Sequence, residues 1–268
     1  FLKNERYDLI GVGFLAARFE ETIVGLCETI NKFKKDAWLV LGGHGATPIA
    51  DYVLERTKAD IVTIGEAEET IVELLKYKLE KGDLSQVKGI AWKSGDKVII
   101  NERRKMILDL DSIPFPEWSL FPMEKYTTCI KLFDAEKDDK TLGILTGRGC
   151  FNSCNFCYRM EKGIRVRSIK SVVEEIKILN QKYGVNYFCM YDELFNFPKK
   201  RTFEFCQALK ENNLKIKFSC NARVDAFDEE SAIWLKESGC KFLNFGFESS
   251  DQKVLDLMNK HTTIEQNI

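Results

Sequence analysis

Three cysteines with a short, regular spacing are the residues of this sequence best placed to do chemistry. Cys150, Cys154 and Cys157 follow one another as C-x-x-x-C-x-x-C in a loop rich in glycine and asparagine. Three thiolates on such a loop can hold three irons of a cubane iron–sulfur cluster and leave the fourth iron open. Because an open iron can bind a small molecule, the spacing predicts a metal centre with one exchangeable position.

Two other interpretations of these cysteines are open at this point. A structural zinc site normally has four protein ligands, and no histidine or fourth cysteine lies close in the sequence. Unliganded cysteines are usually buried among apolar residues, whereas this loop is polar and turn-forming. The chain has nine cysteines, and those in apolar runs are predicted to lie in the core: Cys189, Cys206, Cys220 and Cys240.

The cysteine segment resembles the signature of the radical S-adenosylmethionine (SAM) superfamily. The resemblance rests on the cysteine spacing and on the aromatic Phe156 directly before Cys157, and it extends from about Thr141 onward. It implies a four-iron four-sulfur (4Fe-4S) cluster on the three cysteines, with SAM bound to the open iron. In this family the reduced cluster cleaves SAM to a 5′-deoxyadenosyl radical, and a low-potential donor such as flavodoxin or ferredoxin supplies the electron.

The resemblance also assigns roles to polar residues at the ends of later strands. Asp192 and Glu193 stand where the family has Gly-Gly-Glu and are expected to meet the ammonium group of SAM; an acid pair at a helix start is the alternative. Arg223 suits a carboxylate, and a surface arginine is the plainer interpretation. The other expected contacts to the carboxylate or ribose of SAM are Asn221, Glu248 and Ser249.

A glycine-rich turn near the N-terminus raises a different cofactor. The run from Gly11 to Ala16 follows a strand and fits the dinucleotide pattern G-x-G-x-x-A, which would indicate a nicotinamide cofactor. That pattern requires an acidic residue at the end of the second strand. The second strand ends in Leu41-Gly42-Gly43-His44-Gly45 instead, which argues against a nicotinamide cofactor.

The segment after this strand resembles the cobalamin-binding domain found ahead of many radical SAM domains. The resemblance covers residues 7–79 and implies cobalamin contacts at Gly42, Gly43, His44, Gly45, Thr47, Gly65 and Glu66. Glycines at strand ends let a bulky ligand approach the backbone closely. The alternative is a sheet that lost its cofactor and serves as a scaffold. Because His44 lacks an aspartate two residues before it, we expect no histidine below the cobalt.

Alternating strand and helix patterns must position these residues. Residues 1–85 predict a Rossmann-like parallel sheet with crossover helices, and residues 86–136 predict a hairpin and a proline-rich connector. Residues 137–268 predict an α/β unit that forms the first half of a TIM-type barrel. Its expected strands are 142–146, 187–191, 216–220 and 242–247, and its expected helices are 169–183, 201–212, 229–237 and 251–260.

Charge and composition limit the class of partner. Lysine and arginine number 40 against 41 aspartates and glutamates, without a run of five like charges, which argues against a nucleic-acid binder. The apolar runs are too short to span a membrane, and the start lacks the pattern of a signal peptide, so we expect a cytoplasmic protein. A start without methionine, just before a strand, favours a piece of a longer protein.

Together these features predict a cobalamin-dependent radical SAM enzyme, with methyl transfer to an unactivated carbon of a small molecule as the first hypothesis. A radical SAM enzyme whose first domain is only a scaffold is the second hypothesis. A non-catalytic iron–sulfur electron carrier is the third. The substrate stays open, because the other barrel half would select it.

Overall fold

The hydrophobic strand runs of the first hundred residues pair into one mixed sheet. The computed structural model describes residues 2–15, 19–129, 132 and 134–268, and the chain divides into two compact units, Phe1–Ile107 and Leu108–Ile268. In the first unit the sheet order is β1-β2-β3-β4-β5; the first three strands are parallel and the last two antiparallel. The strands are β1 Leu9–Gly13, β2 Trp38–Gly42, β3 Ile61–Thr63, β4 Ile90–Ser94 and β5 Lys97–Ile100.

Helices cover both faces of this first sheet, because β2 is apolar on both sides. Leu39 and Leu41 pack toward Cys27 and Leu54 on one face, and Val40 packs with Leu74 on the other. The helices are α1 Gly25–Phe33, preceded by a π-helical turn Phe19–Val24, α2 Ala50–Thr57 and α3 Glu68–Glu80. The predicted parallel strands with crossover helices are confirmed.

The predicted connector of residues 86–136 is divided between the two units. The hairpin of β4 and β5 extends the sheet of the first unit, since β4 pairs with β3. Residues from Leu108 onward belong to the second unit, where Trp118 packs against its core. The end of the dinucleotide-like run, Ala16, lies outside the described residues.

The second unit is built on four parallel strands in the order β6-β9-β10-β11. Between β6 and β9 the chain forms a separate antiparallel ribbon of two short strands, β7 and β8. The strands are β6 Thr141–Ile144, β7 Gly147–Cys150, β8 Gly163–Val166, β9 Tyr187–Met190, β10 Lys217–Ala222 and β11 Cys240–Phe245. The helices are α4 Met123–Cys129, α5 Ile169–Tyr183, α6 Lys199–Glu211, α7 Glu229–Glu237, α8 Gln252–Leu257 and α9 Ile264–Asn267.

An aromatic core joins this second sheet to its helices. The ring of Phe205 on α6 makes edge-to-face contacts with Phe195 and Phe218 at centroid distances of 5.3 and 5.5 Å, a favourable geometry for aromatic pairs. Cys206 and Cys220 belong to this core as predicted, whereas the other two are only half-buried: Cys189 and Cys240. None of the described helices is long and apolar enough to cross a membrane.

Candidate active site

The three cysteines lie on and directly after the antiparallel ribbon. Gly149 has a φ of +86°, and a β-carbon there would overlap the carbonyl oxygen of Gly163 on the facing strand. Only glycine tolerates this combination without strain. The glycine therefore lets the two strands approach, and Cys150 ends the first of them opposite Gly163.

The three thiols share one neighbourhood. Cys154 is buried, Cys150 half-buried and Cys157 exposed. Burial raises the pKa of the Cys157 thiol, and the nearby Cys154 and Cys150 raise it further. Among the described residues no group of three His, Cys, Asp or Glu side chains is placed to hold a single metal ion. The donor set itself, three cysteines without a fourth, fits a cluster with one open iron.

Asparagines tie the cysteine loop to its surroundings. Asn152 donates its side-chain N–H to the sulfur of Cys150 at 3.7 Å. Asn155 donates its backbone N–H to the carbonyl oxygen of Met258 at 2.9 Å, and Asn259 donates to the carbonyl of Ser153 at 2.9 Å. These bonds join the loop to the end of α8, about a hundred residues away. Sequence reasoning saw the loop asparagines only as turn formers and missed Asn259.

The aromatic residue before the last cysteine lies beside a lysine that the sequence did not single out. The Nζ of Lys260 is 5.7 Å from the centroid of the Phe156 ring and 2.9 Å from Oε1 of Glu248. The carbonyl oxygen of Lys260 accepts a hydrogen bond from Arg223 at 2.9 Å. The structure thus brings together three of the predicted contacts, Phe156, Arg223 and Glu248, through Lys260.

The predicted acid pair divides into one buried and one exposed carboxylate. Asp192 is only 2% exposed, and it accepts hydrogen bonds from the backbone N–H of Thr146 at 2.6 Å and from the Thr146 hydroxyl. Glu193 is exposed, and its Oε2 accepts the N–H of Gly149 at 2.9 Å. Of the two acids, Glu193 is therefore the one beside the cysteines with a carboxylate open to a ligand.

Arg223 is a buried residue, so its interpretation as a surface arginine is wrong. Its Nε and Nη2 bind the two carboxylate oxygens of Asp225 at 2.9 and 2.8 Å. Burial by itself would lower the pKa of Arg223, and the contact with Asp225 more than offsets that effect. The guanidinium charge also faces Cys154 and Cys150. The fork of the Arg223 guanidinium is therefore already occupied within the protein.

Two other predicted SAM contacts, Asn221 and Ser249, make hydrogen bonds within the protein. Asn221 donates to the carbonyl oxygen of Asp192 at 2.9 Å and accepts from Asn244 at 3.1 Å. The hydroxyl of Ser249 accepts the N–H of Asp251 at 3.0 Å. Both side chains therefore already have partners within the protein.

In the first unit the predicted cobalamin contacts form one edge of the sheet. The loops after β2 and β3 meet where Thr47 accepts the N–H of Gly65 at 3.2 Å, and Glu66 accepts the N–H of Ile107 at 2.9 Å. His44 is exposed on this edge. The residues lie at the carboxyl ends of parallel strands, where such sheets bind ligands. Gly43 and His44 are exposed there, whereas Gly45 and Thr47 are buried.

The glycines of this edge also have a reason inside the protein. A β-carbon at Gly45 would lie 2.6 Å from the ring of Phe14, and one at Gly42 would overlap the hydroxyl of Thr63. Gly43 has a φ of +94°. The glycine pattern is therefore needed for packing, with or without a cofactor.

Sequence comparison assigns the second unit to a family. The sequence model of the radical SAM superfamily matches residues 144–268, which include the ribbon and the three cysteines. Residues 144–268 therefore form a radical SAM domain, and this domain implies SAM and a 4Fe-4S cluster as cofactors. The family resemblance seen in the sequence is confirmed.

Individual relatives extend the likeness to both units. The chain is 29% identical to an uncharacterised methyltransferase of Pyrococcus horikoshii, over 97% of this chain and 56% of that protein. It is 32% identical to the anaerobic magnesium-protoporphyrin IX monomethyl ester cyclase of Cereibacter sphaeroides, over 92% of this chain and 40% of that protein. The chain thus spans about half the length of these relatives.

A solved structure shares the fold. The cobalamin-dependent SAM radical enzyme OxsB, with aqua-cobalamin and SAM bound, superposes with a TM-score of 0.79 over 99% of this chain and 39% of that chain. The two sequences are 20% identical, so this match concerns the fold.

Proposed function

We propose that this chain belongs to a cobalamin-dependent radical SAM enzyme that transfers a methyl group to an unactivated carbon of a small molecule. The observation that carries the proposal is the juxtaposition of three thiols with the exposed carboxylate of Glu193, which binds the backbone directly before Cys150. A cluster on three cysteines keeps one iron open for SAM, and a carboxylate beside it suits the ammonium group of SAM.

The residues of the second unit have separate tasks in this proposal. Cys150, Cys154 and Cys157 hold the cluster, which supplies one electron to SAM when bound. Glu193 orients SAM through its ammonium group, and Phe156 covers the cluster loop beside Lys260. Arg223 places a buried positive charge toward two of the thiols, Cys154 and Cys150. The electron comes from an external low-potential donor such as a flavodoxin or ferredoxin.

Cobalamin is proposed to lie at the sheet edge of the first unit. The exposed His44 loop and the joined loops of Thr47 and Gly65 support this place. The relative in Pyrococcus is named a methyltransferase, and OxsB binds aqua-cobalamin. The packing role of the glycines favours a second candidate, a radical SAM enzyme whose first unit is a scaffold.

The four parallel strands of the second unit are proposed to be the first half of a TIM-type barrel. Strand ends of such barrels carry the chemistry, and the ribbon of cysteines follows the first of these strands. Substrate-selecting loops would then lie on further strands.

Anaerobic reconstitution with iron, sulfide and a corrinoid tests the proposal. We expect roughly four irons per chain and a reduced-cluster spectrum that changes when SAM is added, together with the absorption of bound corrinoid. Cys154→Ala should abolish cluster binding and deoxyadenosine release, whereas Cys206→Ala, in the core of the same unit, should keep both.

Three results would argue against parts of this proposal. Tightly bound zinc and no response to SAM would contradict the cluster. A cluster that responds to SAM, without corrinoid, would favour the scaffold alternative. Equal loss in both cysteine variants would mean that Cys154 has no special role.

A further inference from the structure

The acid that the sequence placed beside SAM is buried beneath the cysteine ribbon. Asp192 Oδ1 accepts the Thr146 N–H at 2.6 Å, and Oδ2 accepts the Thr146 hydroxyl. Two donors of one residue therefore converge on a carboxylate that is 2% exposed. Gly147 is the first residue of the ribbon, and Thr146 directly precedes it.

A buried arginine also binds the backbone at the base of the ribbon. Arg201, 6% exposed, donates to the carbonyl oxygen of Thr146 at 2.9 Å and to that of Arg167 at 3.3 Å. The N–H of Arg167 in turn binds the Thr146 carbonyl at 2.9 Å. Thr146 precedes β7 and Arg167 follows β8, so the base of the ribbon is fixed on both strands.

Resting on the proposed function, we infer that Asp192 is a positioning residue, which anchors the base of the ribbon and thereby sets where Cys150 presents its thiolate. Direct contact with SAM is left to Glu193, whose carboxylate binds Gly149 further along the same strand. The two neighbouring acids thus hold one ribbon at two points, and only the second faces a ligand.

Substituting amides for the two acids separates these roles. In Asp192→Asn one oxygen becomes an N–H₂ donor, so the Thr146 hydroxyl has to turn from donor to acceptor, and both Thr146 bonds lose the negative charge of their acceptor. In Glu193→Gln one oxygen remains for Gly149 while the charge for an ammonium group is lost. Both variants change one atom and remove one charge, which makes them a matched pair.

The readout is the reduced cluster without SAM in the reconstituted 268-residue chain. For Asp192→Asn we expect an altered electron paramagnetic resonance spectrum and roughly tenfold faster loss of iron to a chelator, as is typical when residues supporting metal ligands are changed. For Glu193→Gln we expect the wild-type spectrum and chelation rate, and a weaker spectral response to SAM.

Three further variants distinguish positioning from general stability. Thr146→Val should speed chelation in the same direction by a smaller factor, and Thr146→Ser should restore the wild-type rate because it keeps the hydroxyl. Leu179→Ala, in the core of the same unit, should lower the melting temperature of the apo protein and leave the chelation rate of the folded protein unchanged.

The inference is overturned if Asp192→Asn keeps the wild-type chelation rate and SAM-free spectrum and loses only its response to SAM. Should Asp192→Asn fail to fold, an unchanged rate in Thr146→Val overturns it instead. A wild-type chain that takes up no cluster would remove the proposed function as well, and that result is visible before any variant is compared.

Discussion

Gly42, Gly43 and Gly45 have a packing role in the structure at the place where the sequence predicts a cofactor. The sequence suggests that they make room for a cofactor, and the structure shows that Phe14 and Thr63 occupy the space where two of them would carry a β-carbon. Substituting these glycines would therefore damage the unit whether or not cobalamin binds. The ligand has to be tested at the exposed member of the loop, His44.

For that residue we predict that bound cobalt(II) cobalamin shows electron paramagnetic resonance lines without nitrogen splitting, in the wild type and in His44→Ala alike. The reason is that position 42 is glycine, so no aspartate two residues earlier can orient the imidazole as a ligand. His261→Ala, which changes the only other histidine, serves as the control. Triplet splitting that disappears in His44→Ala alone would contradict the prediction.

At single residues the sequence predicted the cluster ligands better than it predicted which side chains contact each other. The three cysteines follow from spacing alone, because cluster ligands must be close along the loop. The division of labour between Asp192 and Glu193 could not be predicted, because it depends on Thr146, which comes 46 residues earlier in the chain. Lys260 was missed for the same reason: its partners Phe156 and Arg223 are distant in the sequence.

Among the elements, helices with clear end signals were predicted to the residue. The helix α5 begins after Ser168, whose hydroxyl accepts the N–H of Ser171 at 3.1 Å, and ends at Gly184 with a φ of +72°. Such caps are local and can be read from the sequence. The ribbon was missed, because Gly147-Arg148-Gly149 has no alternating apolar pattern that would indicate its backbone pairing with β8.

The ribbon gives a prediction with a built-in control. Gly149 and Gly163 both have positive φ, +86° and +88°, so alanine at either position is strained by about 1–3 kcal/mol. Only at Gly149 would the new β-carbon also overlap the facing backbone, whereas at Gly163 it meets nothing within 4 Å. We expect Gly149→Ala to lower the free energy of unfolding more than Gly163→Ala, and to reduce iron uptake.

Urea unfolding followed by circular dichroism, with iron analysis after reconstitution, measures both effects. Equal losses of stability in the two variants would show that the close approach of the strands is not what requires glycine at position 149.

On the scale of the whole molecule, each unit contains its own core. The core clusters around Leu41 and around Val40 consist of residues from the first unit, and the cluster around Phe205 consists of residues from the second. The sequence placed the first boundary at residue 85, whereas the structure divides the chain after Ile107. The difference arises because β4 and β5 look like an independent hairpin until their pairing with β3 is known.

We therefore predict that residues 1–107, produced alone, unfold cooperatively in urea, because a unit of this size with two filled faces can stabilise itself. Leu41→Ala should lower its free energy of unfolding by about 2–5 kcal/mol, since Leu41 is fully buried. Val72→Ala, at an exposed position of α3, is the control. A gradual, non-cooperative transition of the wild-type piece would contradict the prediction.

Thr146 has its N–H, its carbonyl oxygen and its hydroxyl all bound inside the protein. An amide held in this way exchanges its hydrogen with solvent only when the surrounding structure opens. The rate of deuterium uptake at the Thr146 amide therefore reports how often the base of the ribbon opens. It can be measured on the apo protein in air, before any iron is added. The conformational stability of the ribbon base in the apo protein can thus be measured separately from the chemistry of the bound cluster.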